Sequence, residues 1–317
     1  MPYECRKRSP QGYNPQMDAL DEALQHRLAR LVGKRPVAWR RAEGGYTPAQ
    51  RWLVSFEDGT SCFVKSAAAL PGSPMDAWLR REHDVYSRIE AGFMPRLLAW
   101  DDDGIQPLLV LEDLSAARWP PPWRPGDVDA VLATLASVHA TPLEAPAAED
   151  LDPDLVTHWR DVEADPAPFL SLGLCSRAWL DAALPILIGA ALAVKLSGND
   201  LVHFDVRSDN ICFDGDRVLL IDWNFAARGN GELDVASWLP SLHSEGGPLP
   251  EAIMPGAPEW AALMSGFFGY RAGLVKLPHA PNVRNIQLTQ LRSALPWAVR
   301  ALGLPPLDGA NAPSTQA

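Results

Sequence analysis

The chain reads as an α+β protein in two lobes, on three observations. β-rich runs crowd residues 36–114, amphipathic helical segments dominate residues 115–304, and one short hairpin, "NICFDGDRVLLID" at residues 210–222, interrupts the helical part. At 317 residues the chain is long enough for each lobe to hold its own apolar core.

In chain order, residues 1–16 and 305–317 are rich in Pro, Gln, Asn, Ser and Gly and are expected to be loosely ordered tails. A short helix is expected over 17–32. Then "VAWRRAEGGYTPAQRWLVSFEDGTSCFVKSA" holds three β-rich runs, separated by turn signals at Glu43–Thr47 and at Asp58-Gly59, which predicts an antiparallel meander. In "GSPMDAWLRREHDVYSRIEAG" Ser73 is placed to cap a helix with Pro74 at its first position and Asp76 as the reciprocal partner, and Gly92 ends it. Leu79, Tyr86 and Ile89 share one face of that helix, and Glu82 falls among them, so a carboxylate sits on a packing face. "MPRLLAW" and "IQPLLVLEDL" read as two more strands, and the lobe boundary is set near Leu114.

The second lobe opens with the loop "SAARWPPPWRPGD" and a helix over about 126–140. The acidic "DVEADP" at 161–166 reads as a solvated loop, and a helix over about 176–197 leads into the hairpin. Three amphipathic helices follow, in "ELDVASWLPSL", "PEWAALMSGFFGYRAGLV" and "NVRNIQLTQLRSALPWAVRAL". Asp234 is expected to cap the first of these and to help tie down the loop before the hairpin. The 12 Trp are mostly core, with Trp159 or Trp260 as candidates to line a pocket.

Composition narrows the function. With 28 Lys+Arg against 39 Asp+Glu, the net charge of −11 makes the chain a poor partner for nucleic acid or an anionic membrane surface. Cys5, Cys62, Cys175 and Cys212 form no C-x-x-C pair and read as reduced packing cysteines. The N-terminus lacks an apolar signal region, and "AALPILIGAALAV" at 182–194 is too short to span a bilayer. These features together predict a cytoplasmic protein.

The chemistry is concentrated in the hairpin. Folding back at Asp214-Gly215-Asp216 is expected to bring Asn210 opposite Asp222, with Asp205 on the loop entering the same end. An amide oxygen beside a carboxylate suits a hard cation such as Mg²⁺, which takes oxygen ligands and keeps waters or phosphate oxygens for the rest. His203, two residues before Asp205, is expected to brace the loop.

His203-x-Asp205-x-x-x-x-Asn210, followed by Ile221-Asp222-Trp223, resembles the catalytic and metal-binding motifs of the aminoglycoside phosphotransferase and choline kinase family, the small-molecule branch of the bilobal protein-kinase-like fold. The resemblance covers nearly the whole chain. It implies that residues 17–114 bind the nucleotide and 115–304 carry catalysis and the acceptor. It implies that Asp205 orients or deprotonates a substrate hydroxyl, while Asn210 and Asp222 hold Mg²⁺ on the phosphates of ATP. Lys65 would touch the α- and β-phosphates, paired with Glu82, and the backbone at Glu112 and Leu114 would hold adenine. "EGGYTPA" lacks the G-x-G-x-x-G of protein kinases, so Gly44, Gly45, Tyr46 and Thr47 are assigned to the phosphate loop by position. Phe204 and Arg207 stand where relatives commonly carry Gly and Lys or Leu-Pro types.

The implied reaction moves the γ-phosphoryl group of ATP to a hydroxyl of a small molecule such as an aminoglycoside, amino alcohol or sugar. A protein kinase would need a long activation segment, whereas few residues separate Asp222 from the Asp234 helix. A nucleotide-binding pseudokinase would be expected to lack one of Lys65, Asp205, Asn210 or Asp222, and all are present.

Overall fold

The structure, a computed structural model, describes residues 22–42, 49–67, 74–276 and 282–313. β1 (Pro36–Arg41), β2 (Gln50–Phe56) and β3 (Ser61–Ser66) form the expected meander. β5 (Leu108–Glu112) and β4 (Leu97–Asp101) extend it to a five-stranded antiparallel sheet in the order β1-β2-β3-β5-β4. The two-residue period of a strand sorts the side chains of β3. Cys62 and Val64 join Val54, Phe56, Leu108 and Val110 against Leu24 and Leu28 of α1 (Glu22–Val32). Phe63 and Lys65 consequently face the other way, toward α2 (Met75–Arg88).

Helix α2 buries Met75, Leu79, Glu82, Val85 and Tyr86, so the stripe read from the sequence is the packed one. Its start differs from the reading. Pro74 is the N-cap and makes no side-chain cap bond, Ser73 lies outside the described residues, and Asp76 binds Arg80 at 2.6 Å. The Asp76 carboxylate finds a guanidinium one turn away, a stronger partner than a neutral N–H.

The C-terminal part is helical: α3 (Asp127–His139), α4 (Ala148–Leu151), α5 (His158–Ala164), α6 (Ala167–Leu170), α7 (Arg177–Leu192), α8 (Glu232–Ser244), α9 (Pro250–Ile253), α10 (Pro258–Ala272) and α11 (Val283–Ala301). Trp159, Trp223, Trp238 and Trp297 are among its fully buried side chains. Trp159 and Trp260, candidates to line a pocket, are not among the residues lining the main cleft. They are 1% and 2% exposed, and their indole N–H groups donate to the Ala262 carbonyl and to Glu232 Oε2, which satisfies each ring inside the core. The acidic segment read as a loop is helical through Ala164, because Val162 and Trp159 bury one face of α5 while its acids face water. Cys62, Cys175 and Cys212 are buried and unpaired, and among the described residues no helix is long and apolar enough to cross a membrane.

Residues 305–313, excluded from the fold in the sequence reading, run back over the start of α7. Asp308 accepts bonds at 2.6 Å from both the backbone N–H and the hydroxyl of Ser176, and the Pro305 carbonyl accepts from Trp179 Nε1 at 2.9 Å. Composition alone could not register these partners, which lie more than 120 positions away.

The hairpin consists of β7 (Ile211–Asp214) and β8 (Arg217–Leu220), and its turn is Gly215-Asp216 with Gly215 at φ 59°. Ile211 pairs with Leu220, and Ile221 N–H donates to the Asn210 carbonyl at 3.0 Å. Asn210 is therefore opposite Ile221, one residue short of the expected Asp222, because a two-residue turn pivots between residues 215 and 216. The hairpin docks on the N-terminal part through Leu220 N–H on the Phe93 carbonyl at 2.8 Å.

Candidate active site

Strand β3 and helix α2 bring Lys65 and Glu82 together on the sheet's second face. Lys65 Nζ donates to Glu82 Oε2 at 2.6 Å and to Asp222 Oδ1 at 2.6 Å. Lys65 is 8% exposed and Glu82 1%, whereas the Asp222 side chain keeps 31% of its surface open to the cleft. Burial works against the ammonium, but Asp222 and Glu82 outweigh it and hold the Lys65 pKa above its ordinary value. Burial pushes the Glu82 carboxyl up; at Asp222 burial pushes the same way, yet Lys65 overcomes it and holds that carboxyl down. Asp222 itself sits at φ 64°, the left-handed region that side chains rarely occupy, and it leads into a 3-10 turn at Trp223–Phe225. Trp78 of α2 packs edge-on against Phe225, with ring centroids 5.4 Å apart, so the same helix that carries Glu82 also seats the turn after Asp222.

The loop after β6 (Asp200–Val202) carries Asp205. Asn210 Nδ2 donates to the Asp205 carbonyl at 2.9 Å and to Asp205 Oδ2 at 3.1 Å, which turns the amide's oxygen away from those bonds. Burial raises the Asp205 carboxyl, with Arg207, 3.7 Å away, pulling the other way. His203 is fully buried: its Nε2 donates to the Ile221 carbonyl at 2.9 Å, and its Nδ1 accepts from Asp205 N–H at 3.4 Å. It braces the loop against the hairpin. Phe204, at φ 67°, takes a conformation that Gly would adopt without strain. Asp234 holds it there: Oδ2 accepts His203 N–H and Oδ1 accepts Phe204 N–H, both at 2.8 Å, and His139 Nε2 lies 3.1 Å from Oδ2. Asp234 is thus not the N-cap of α8, which is Gly231; its carboxylate is taken by the loop.

At the end of β5, the Glu112 carboxylate binds Arg96 Nε and Arg217 Nη2, each at 2.8 Å, and Leu114 lines the cleft. The Glu112 N–H already donates to the Arg96 carbonyl at 3.0 Å, so that donor is taken. Gly44, Gly45, Tyr46 and Thr47 lie outside the described residues. The remaining groups line one cleft of ≈ 1300 Å³, where Lys65, Glu82, Asp205, Asn210 and Asp222 meet.

The model of the phosphotransferase enzyme family matches residues 38–265, more than two thirds of the chain. The chain belongs to the phosphotransferase enzyme family. Among solved structures, an amicoumacin kinase in complex with AMP-PNP, Ca²⁺ and Ami is similar to this phosphotransferase at 13% identity and a TM-score of 0.50, over 90% of this chain and 87% of that one. A macrolide 2′-phosphotransferase type I follows at 16% identity and 0.45, over 89% and 92%, and a glucosamine kinase at 18% and 0.42, over 89% and 80%. No curated protein matches the sequence. The amicoumacin kinase likeness bears on the fold, which is kinase-like: an antiparallel sheet followed by a helical part.

One feature of this phosphotransferase escaped the sequence reading: the direct Lys65–Asp222 contact joins residues 157 positions apart, and no local pattern marks it. The hold of Asp234 on the loop, across 30 positions, was expected. A conspicuous signal did exist for the loop, since Phe204 stands where relatives commonly have Gly, and a side chain there demands an anchor.

Proposed function

We propose that this phosphotransferase uses Mg-ATP to phosphorylate a hydroxyl of a small molecule, with Asp205 as the residue that orients and deprotonates it. The observation that carries this reading is Lys65 Nζ bonded at 2.6 Å to both Glu82 and Asp222 in the cleft where Asn210 and Asp205 are bonded to each other. The donor set fits a divalent cation. Asp222 Oδ1 is on Lys65 and the Asn210 amide N–H is on Asp205, which leaves a carboxylate oxygen and an amide oxygen for an ion. Among the described residues no group of three or more His, Cys, Asp or Glu could hold a metal. Mg²⁺ completes its shell with phosphate oxygens and water. When bound, the ion neutralises charge on the transferring phosphates.

In this reading Glu82 holds Lys65 toward the α- and β-phosphates, and Asn210 and Asp222 hold the metal. Asp205 takes the proton from the acceptor hydroxyl as its oxygen bonds to the γ-phosphorus. The bond from that phosphorus to the bridging oxygen breaks, and ADP leaves with the electron pair. The backbone at Leu114 and the phosphate loop at Gly44–Thr47 keep the roles that the resemblance implies.

The experiment is a hydroxyl-compound library screened for phosphorylated product by mass spectrometry, with Mg-ATP affinity measured by calorimetry, for the wild type and Asp205→Asn. Turnover is expected to fall by roughly 10²- to 10⁴-fold in the variant with nucleotide affinity nearly unchanged. Retained turnover refutes the role of Asp205. No turnover in a broadly tested wild type that still binds Mg-ATP favours a binding module without chemistry.

A further inference from the structure

The acceptor end of the cleft has its own chemistry. Leu151, Leu155, Met264, Phe267, Phe268 and Ile286 wall it, and α11 turns Val283, Ile286, Gln287 and Gln290 toward it at the i, i+3, i+4, i+7 spacing of one helix face. Its charged groups are already matched. Arg271 Nη2 donates to Asp152 Oδ2 at 2.7 Å, and the guanidinium lies over the Phe267 ring with its carbon 4.1 Å from the centroid. Through the rest of the cleft, Glu82 and Asp222 face Lys65, Glu112 faces Arg217, and Asp209 faces Arg207, all within 3.0 Å, while Asp205 is 3.7 Å from Arg207. An ammonium entering this end would leave water to meet only carboxylates that already carry a cationic partner.

One polar group there has no hydrogen-bond partner among the described residues. Gln290 is 4% exposed, lines the cleft, and bonds to none of the described residues. Its neighbour Gln287 is engaged, accepting from Arg284 Nη1 at 2.9 Å. A buried primary amide offers a carbonyl oxygen and an NH₂ side by side, the complement of another amide.

We infer that the acceptor is an uncharged, largely apolar alcohol bearing an amide group that pairs with Gln290, and that polycationic aminosugars and free amino alcohols are excluded. This rests on the phosphotransferase reading above and narrows it. The apolar walls take the body of the molecule, Gln290 fixes its orientation, and the hydroxyl is directed along the cleft toward Asp205. Affinity comes from the walls, while discrimination comes from an unpaired amide that only a matching group satisfies.

The test uses the full chain and three probes: 2-amino-1-phenylethanol, its N-acetyl derivative, and kanamycin. Binding is read by ligand-observed NMR and calorimetry, and phosphorylated product by mass spectrometry with Mg-ATP. The N-acetyl compound is expected to bind at least about 10-fold more tightly than the free amine, with kanamycin not binding. Gln290→Leu should reduce that preference to within about 3-fold, and Ile286→Glu, at a half-exposed wall position, should shift it toward the amine. Selective binding of the N-acetyl compound supports the inference whether or not that probe is turned over. Equal or tighter binding of the amine or kanamycin, no binding of the N-acetyl compound, or a preference untouched in both variants overturns it. Product formed from the amine or kanamycin overturns it while the phosphotransferase reading stands. Selective binding in a chain that does not bind Mg-ATP overturns the phosphotransferase mechanism alone.

Discussion

Asp234→Asn is the substitution that most directly probes how the loop carrying Asp205 is held. The carboxylate is fully buried and accepts two backbone N–H groups, from His203 and Phe204, both at 2.8 Å. Asparagine keeps the shape but offers one carbonyl oxygen, so the other N–H meets an NH₂ group and loses its acceptor. A hydrogen bond to a charged group contributes about 1.5–3 kcal/mol. The surviving bond becomes neutral and roughly half as strong. Together the loop is expected to lose about 2.3–4.5 kcal/mol of local stability, a change large enough to release Phe204, whose left-handed backbone itself costs about 1–3 kcal/mol. In native-state hydrogen exchange, protection of the amides at 203 and 204 should fall by roughly 40- to 1600-fold, since about 1.4 kcal/mol is tenfold. Amides in the five-stranded sheet should change little. Unchanged protection at 203 and 204 in a folded variant would refute the anchoring role.

Asp222→Asn should leave the fold intact, because the group lies at the cleft edge, and should weaken Mg-dependent nucleotide binding by at least about 10-fold, as loss of even an outer-shell metal partner does; calorimetry with and without Mg²⁺ checks this, and equal affinities would remove Asp222 from the metal site. A further expectation concerns acid stability at Asp127. Burial alone would raise its carboxyl, but two Arg118 bonds at 2.9 and 2.6 Å and the Arg124 N–H outweigh that and hold it below its ordinary value. The folded state thus binds this proton less readily than the unfolded chain, so the stability it adds is fully present above about pH 3.9 and is lost as pH falls toward the folded value. Asp127→Asn should flatten the fall of the melting temperature below about pH 4, and identical acid limbs in both proteins would show that the group contributes nothing there.

Much of the site was legible because its signals are local. Helical spacing in "MDAWLRREHDVY" puts Glu82 on the buried stripe, while its pairing with Lys65 was expected from the family resemblance; in the structure the two-residue period of "SCFVKS" turns Lys65 away from Cys62 and Val64 and toward it. The hairpin's turn residues likewise brought Asn210 and Asp222 to one end, with the register off by a single position. Where the reading failed, a local cue competed with a distant partner. Asp234 was expected both to cap a helix and to tie down the loop, and only the second holds, because the His203 and Phe204 N–H groups, 31 and 30 positions earlier, claim its oxygens. The C-terminal tail looked loose by composition, yet Asp308 and Pro305 had partners at Ser176 and Trp179.

By itself the sequence determined the α+β architecture and the strand and helix order, because backbone periodicity and turn chemistry act over a few residues, and its resemblance to a known family pointed to Lys65, Glu82, Asp205, Asn210 and Asp222. Only the tertiary structure decided that Lys65 bridges Glu82 and Asp222, that Asp234 holds Phe204 in its left-handed conformation, and that the end of the cleft walled by Leu155, Phe267 and Ile286 is apolar with Gln290 unpaired among the described residues. Those features depend on which side chains from α2, α8, α10 and α11 converge on one cleft. Convergence across a hundred or more positions is set by packing the cores against each other, and no local pattern encodes it.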